Sequence, residues 1–332
     1  MTAPPRSVLL FGLSVFLALP AEAMLSFDLN FTTQAETDLT VDEQALFSEG
    51  LSFWSNILTG YRDGVSRTFT LDVDTFNEDA DPDTGGVRLG SAGPQSLGFS
   101  DPVPGGPTAN GGRFVLPLSG VARFNVSDDA GLLDPVVIRH EIAHALGFGT
   151  LWEANRLYND LDPNNDVVLQ DDMGNIVDRL VLEGGVPGQY VGQAALAAFQ
   201  TEFGQPEATF VPVELDGGPG TAHGHWNQAT DLFRNENAPV ADSHPGDTGI
   251  PLTIVAGDNA GEALGDELMS GILSTDEPIV TETTIAQWHD IGYEIVTPIP
   301  EPAAALLMAF GTGLLYLRTC SRRPRGLPSR AA

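Results

Sequence analysis

The stretch His140-Glu141-Ile142-Ala143-His144-Ala145-Leu146-Gly147-Phe148-Gly149 constrains this chain more than any other. Asp134-Pro135 upstream predicts a helix start, with a side-chain acceptor at the cap and proline at the first helical position. Gly147 predicts the stop, because glycine takes the left-handed turn that commonly ends a helix. Between them His140 and His144 stand four residues apart and so share one helix face. Two imidazoles so placed can reach one metal ion. Glu141, turned by roughly 100°, can reach a water beside that ion. An amphipathic helix with incidental histidines is the competing reading, and six histidines in 332 residues make it the weaker one.

The H-E-x-x-H pattern resembles that of zinc metallopeptidases, in which a catalytic zinc takes three protein ligands and leaves one position for water. In metzincins a third histidine follows the helix glycine by three residues; here that position is Thr150. Either the site is not a metzincin site, or the third ligand comes from further along. Gly220-Thr221-Ala222-His223-Gly224-His225-Trp226 resembles the glycine-rich run ending in His-Trp that supplies the distant ligand in leishmanolysin-like metallopeptidases. Asp266-Glu267-Leu268-Met269-Ser270-Gly271 is similar to that family's Glu-Leu-Met segment, and Thr284 to Tyr293 is similar to its closing helix and Asp-Ile-Gly-Tyr. The resemblance spans about residues 41–296. It implies an α+β, metzincin-like fold: an N-terminal mixed sheet with the active-site helix, then a more irregular C-terminal subdomain. It also implies zinc on His140, His144 and His225, Glu141 as general base, and Met269 in a Met-turn. His223 competes with His225, and the tryptophan after His225 favours the latter.

The formal net charge of −30, with no lysine, repels nucleic acid and anionic membrane and argues against a phosphate-tracking role. Residues 1–23 read as a secretory signal: Arg6, an apolar run from Val8 to Leu19, then Ala21-Glu22-Ala23 as the cleavage site. At the other end, Pro300-Glu301-Pro302, an apolar run to Leu317 and then Arg318, Arg322, Arg323 and Arg325 resemble a PEP-CTERM sorting tail. That resemblance implies a Gram-negative source, transient membrane association, processing by an exosortase-type enzyme, and delivery to the envelope, the exopolysaccharide matrix or the outside. A plain C-terminal anchor is the alternative for so short an apolar run. The single cysteine, Cys320, lies in that tail and leaves the rest without disulfide or thiolate ligand. The expected domains are therefore 1–23, 24–149 ending in the zinc helix, 150–297 with the third ligand and Met-turn, and 298–332.

Along the chain, residues 41–59 carry apolar positions at helical spacing, with Leu46, Phe47, Leu51, Trp54, Ile57 and Leu58 as the buried stripe. Arg67 to Val73 alternates as a strand, and Asn77 to Gly112 reads as mostly loop. Arg113 to Leu118 and Val121 to Val126 read as two strands, the second an edge strand lining the cleft. Val191 to Phe203 reads as a short helix, and His289 as an exposed helix residue. Asp160, Asp162, Asn164, Asp166 and Asp171 have the spacing of a calcium loop but lack its sixth-position glycine and terminal glutamate, so a solvated acidic turn is favoured.

The function expected from these features is a secreted zinc endopeptidase acting on a protein or peptide. A non-catalytic envelope or exopolysaccharide-associated binding protein on the same scaffold is the main rival, and the complete ligand set with Glu141 weighs against it. A thermolysin-like enzyme with a downstream glutamate ligand is the other.

Overall fold

The computed structural model describes residues 24–80, 87–131, 133–170, 173–215, 221–227, 252–271 and 277–296. The chain divides into two compact units, Met1–Ile295 and Val296–Ala332. The expected boundary at 149/150 falls inside the first, and the expected signal and sorting segments lie outside the described residues. No described helix is long and apolar enough to cross a membrane.

The elements in order are β1 (Leu25–Phe31), α1 (Thr33–Asp38), α2 (Val41–Ser55), β2 (Leu58–Tyr61), β3 (Arg67–Phe76), β4 (Gly90–Phe99), β5 (Val115–Asn125) and α3 (Pro135–Leu146). Then come β6 (Val167–Gln170), β7 (Ile176–Leu180), β8 (Gln189–Tyr190), α4 (Gln193–Glu202), β9 (Val211–Pro212), α5 (Glu282–Asp290) and β10 (Tyr293–Ile295). The class is α+β. A mixed four-stranded sheet has the order β1-β3-β5-β4, with β1, β3 and β5 parallel and β4 antiparallel to β5.

Three expectations change here. The two strands expected at 113–118 and 121–126 are one, β5, which runs through Pro117 and Gly120. It is an interior strand, so the edge beside the helix belongs to β4 instead. β4 itself rises from the Gly/Ser/Pro stretch expected to be loop. Its own propensity is poor, and pairing with β5 from Gly90↔Phe124 to Phe99↔Val115 supplies the order.

The layer behind the sheet follows its patterns in part: α2 ends at Ser55, so of the expected stripe Leu46 is half-buried, Ile57 lies beyond the helix and Leu58 opens β2. β3 buries Phe69, Leu71 and Val73; α2 buries Phe47, Leu51 and Trp54. Phe47 meets Phe124 of β5 edge-on at 5.0 Å, and the Trp54 indole N–H donates to the Arg139 carbonyl of α3 at 2.8 Å. Thr40 and Glu43 cap α2 reciprocally. α3 has the predicted start, Asp134 accepting from Val136 N–H at 2.7 Å with Pro135 following, and the predicted stop, Gly147 at φ 115°. Its last carbonyl, on Leu146, accepts from the buried Tyr293 hydroxyl at 2.8 Å.

Helices α4 and α5 cap one another. Glu202 at the end of α4 accepts from Glu282 and Thr283 N–H, each at 3.0 Å; Asp290 at the end of α5 accepts from Ala194 and Ala195 N–H, each at 2.9 Å. The expected helices at 191–203 and 284–293 are thus present, and each supplies the other's missing acceptors. Asp290→Ala should lower unfolding stability by about 1–2 kcal/mol, read from a urea midpoint. An unchanged midpoint would show that water replaces the cap. His289 is half-buried rather than exposed, and its backbone carbonyl accepts from the Arg62 guanidinium at 3.1 Å.

Candidate metal centre

Glycine at 147 turns the chain back on its own helix, so Phe148 N–H bonds to the Ala143 carbonyl at 2.9 Å. The Phe148 carbonyl then accepts from His144 Nδ1 at 2.9 Å. Thr150, which stands where a nearby third histidine was sought, donates its hydroxyl to the His144 carbonyl at 2.8 Å and so tightens the same turn.

The distant loop arrives at this turn. Gly149 (φ 71°) lies so close to Gly224 that a β carbon on it would stand 2.4 Å from the Gly224 carbonyl oxygen. Glycine at 149 lets the backbones meet, and His225 is brought beside the helix pair. His140, His144 and His225 are all buried, and their Nε2 atoms stand 3.1 Å (His140–His144), 3.0 Å (His144–His225) and 2.9 Å (His140–His225) apart. Among the described residues they form the one cluster that could hold a metal ion.

The proton positions make this a donor set. Each Nδ1 faces a backbone carbonyl: His140 to Leu268 at 2.7 Å, His144 to Phe148 at 2.9 Å, His225 to Thr221 at 2.7 Å. A carbonyl only accepts, so this network assigns the proton to Nδ1 on all three rings. Three bare lone pairs then face one another with no proton to share, an arrangement that a cation relieves. Burial also holds all three imidazoles below their usual pKa, His225 to about 3, and so keeps them neutral at pH 7. The separations approach the ~3.3 Å edge expected for a tetrahedral nitrogen set around zinc. The residues fit a divalent metal.

Glu141 is the next residue on α3. It is 8% exposed, makes no hydrogen bond or ion pair with a described residue, and burial pushes its carboxyl up to about 7. Its position depends on the edge strand: a β carbon on Gly90 would lie 3.0 Å from Glu141 Oε1. The start of β4 therefore runs directly over this carboxylate.

His223, the rival ligand, is turned to another task. Its Nδ1 accepts from the Tyr158 hydroxyl at 2.7 Å, while the Tyr158 oxygen accepts from Gly188 N–H at 3.0 Å. Met269 is fully buried, and its carbonyl accepts from Trp226 N–H at 3.1 Å. Its neighbour Leu268 supplies the carbonyl that holds His140, so the 267–270 turn is bonded to the site through the main chain.

The acidic loop lies elsewhere. Asp160 accepts from Asp162 N–H, Asp162 from Asn164 N–H, and Asp166 pairs with Arg179 at 3.0 Å. These carboxylates serve the turn itself, and Asp171 lies outside the described residues.

The ring-fixing carbonyls of Leu268, Phe148 and Thr221 are invisible to sequence reading, since every residue has one. Glu267 was legible only as part of a motif. A scan of family models and a search of curated proteins each find no match to this chain.

Proposed function

We propose that this protein is an exported zinc-dependent endopeptidase of the leishmanolysin-like metzincin type. The observation that carries the reading is the convergence of three Nδ1-protonated histidines on one point, with the buried Glu141 carboxylate, which has no partner among the described residues, on the helix that bears His140 and His144. Histidine-only donors at tetrahedral spacing suit zinc better than calcium or magnesium, which take oxygen. Zinc would supply Lewis acidity, polarising a scissile carbonyl and lowering the pKa of a water to about 7.

The chain's own groups do the remainder. Glu141 accepts a proton from water through its carboxylate oxygen and returns it to the leaving amine, a role suited to an acid whose pKa burial has raised. β4 is the sheet's edge strand beside Glu141, and its free side can pair an extended substrate backbone by strand addition. Its glycines let that backbone come close. Met269 would be the Met-turn residue, held in place by Trp226.

The N-terminal signal and C-terminal tail support export to the envelope, exopolysaccharide matrix or outside the cell, with removal of the tail by an exosortase-type enzyme. Casein hydrolysis by the purified chain tests the activity. It should be abolished by a chelator and restored by Zn²⁺ added in slight excess. Hydrolysis indifferent to the chelator would remove the metal from the mechanism.

A further inference from the structure

We propose that Glu267 is a positioning residue for the metal centre, its buried carboxylate fixing both the carbonyl that orients His140 and the loop that delivers His225. The inference rests on the reading that the three histidines hold a metal.

Glu267 has no exposed surface. One carboxylate oxygen accepts from Met269 N–H; the other accepts from the Thr284 hydroxyl at 2.6 Å and, at 3.4 Å, from Thr281 N–H. Its own carbonyl accepts from the Ser270 hydroxyl at 2.7 Å. The turn is thus closed around the side chain, and Leu268, inside the turn, presents its carbonyl to His140 Nδ1 at 2.7 Å.

A second branch runs to the other ligand. The Thr284 hydroxyl that donates to Glu267 accepts from the Trp226 indole N–H at 2.8 Å. Trp226 follows His225 in the chain, and its backbone N–H donates to the Met269 carbonyl at 3.1 Å. One carboxylate therefore joins the 268 turn, the 225 loop and the start of α5. Ring orientation at a metal-binding histidine is set by the partner of its other nitrogen, so moving either segment turns an Nε2 lone pair off the shared point.

The donors around Glu267 require a carboxylate. Met269 N–H meets one oxygen and Thr284 O–H the other, and Trp226 already donates to the Thr284 oxygen. An amide that kept its oxygen on Met269 N–H would turn its NH2 toward Thr281 N–H and the Thr284 oxygen, which could accept it only by withdrawing the proton it now gives Glu267. Burial pushes Glu267 up to about 7, so an apolar side chain would fill the space at lower desolvation cost. What an apolar side chain cannot do is hold the turn.

The experiment titrates Zn²⁺ into the metal-free full chain against a competing chelator, and records the visible spectrum of the Co²⁺ form. In Glu267→Gln the zinc dissociation constant should rise about tenfold to a hundredfold, and the cobalt bands should shift or weaken. Thr284→Val, which removes the Thr284–Glu267 bond together with the link to Trp226 but leaves Met269 N–H on the carboxylate, should move both readouts in the same direction by less. A general loss of stability would lower the unfolding midpoint without changing the cobalt spectrum of the folded fraction.

A folded Glu267→Gln protein with a zinc constant within about twofold of wild type and an unchanged cobalt spectrum would overturn the proposal. If that variant does not fold, Thr284→Val decides: an unaltered zinc constant overturns the proposal, a raised one supports it. Metal binding is read without substrate, so a wild type that binds zinc but hydrolyses nothing counts against the peptidase reading alone.

Discussion

Glu141→Gln should reduce peptide hydrolysis by about 10²- to 10⁴-fold while leaving the metal in place. The substitution keeps the shape of the side chain under Gly90 and touches none of the three imidazoles, so zinc content and the contact with β4 should persist. What it removes is the buried carboxylate that, among the described residues, follows His140 on α3 and can take a proton from water. The loss should fall on kcat, with KM nearly unchanged, because the residue contributes to proton transfer rather than to holding the peptide. A quenched fluorescent peptide, with zinc measured on the same samples, reads both. Full activity in the variant would remove Glu141 from the mechanism.

The same variant has a signature in stability. In the metal-free protein burial raises the Glu141 pKa from 4.5 to about 7. Between those values the folded chain binds more protons at this site than the unfolded chain, so its contribution to stability falls as pH rises. Glutamine has no proton to lose. Metal-free Glu141→Gln should therefore gain stability over metal-free wild type progressively from pH 4.5 to above 7. A constant difference would show that Glu141 is solvated in solution.

The second large effect is that of metal on the fold. His140 and His144 belong to one helix, whereas His225 comes from a loop 81 residues beyond His144. A shared ion would tie that loop to α3, in addition to the Gly149–Gly224 contact and the Trp226 hydrogen bonds. Zinc at about a thousandfold excess over its dissociation constant should stabilise the native state by about 4 kcal/mol. A chelator should lower the thermal midpoint accordingly, and His225→Ala should make the midpoint indifferent to zinc. Equal midpoints with and without zinc in the wild type would mean that the ion does not bind the native fold preferentially.

The helix carrying His140 and His144 was legible because its signals are local: an acceptor and proline at the start, glycine at the stop, and histidines at the helical period. α2 and β3 were legible for the same reason, since period fixes their buried faces. β4 was not. Gly90, Gly93, Pro94 and Gly98 argue against a strand, and only the neighbouring β5 overrides them. That error moved the cleft's edge to the wrong strand. β1 has a clear alternation of Leu25, Phe27, Leu29 and Phe31, which its place just after the expected signal segment obscures.

The third histidine of the cluster was half legible. Two histidines stood in one glycine-rich loop, and the tryptophan after His225 favoured it. The structure separates them by their partners, a carbonyl for His225 Nδ1 and the Tyr158 hydroxyl for His223. The role of Glu267 was not legible, because its donors come from residues 269, 281 and 284 and become neighbours only when α5 folds onto the turn.

The measurement that tests the central claim most directly is zinc content and casein hydrolysis of the purified chain, wild type beside His225→Ala. One zinc per chain and chelator-sensitive hydrolysis are expected in the wild type, with both lost in the variant. Wild type without zinc, or a variant that keeps both zinc and activity, would contradict the claim.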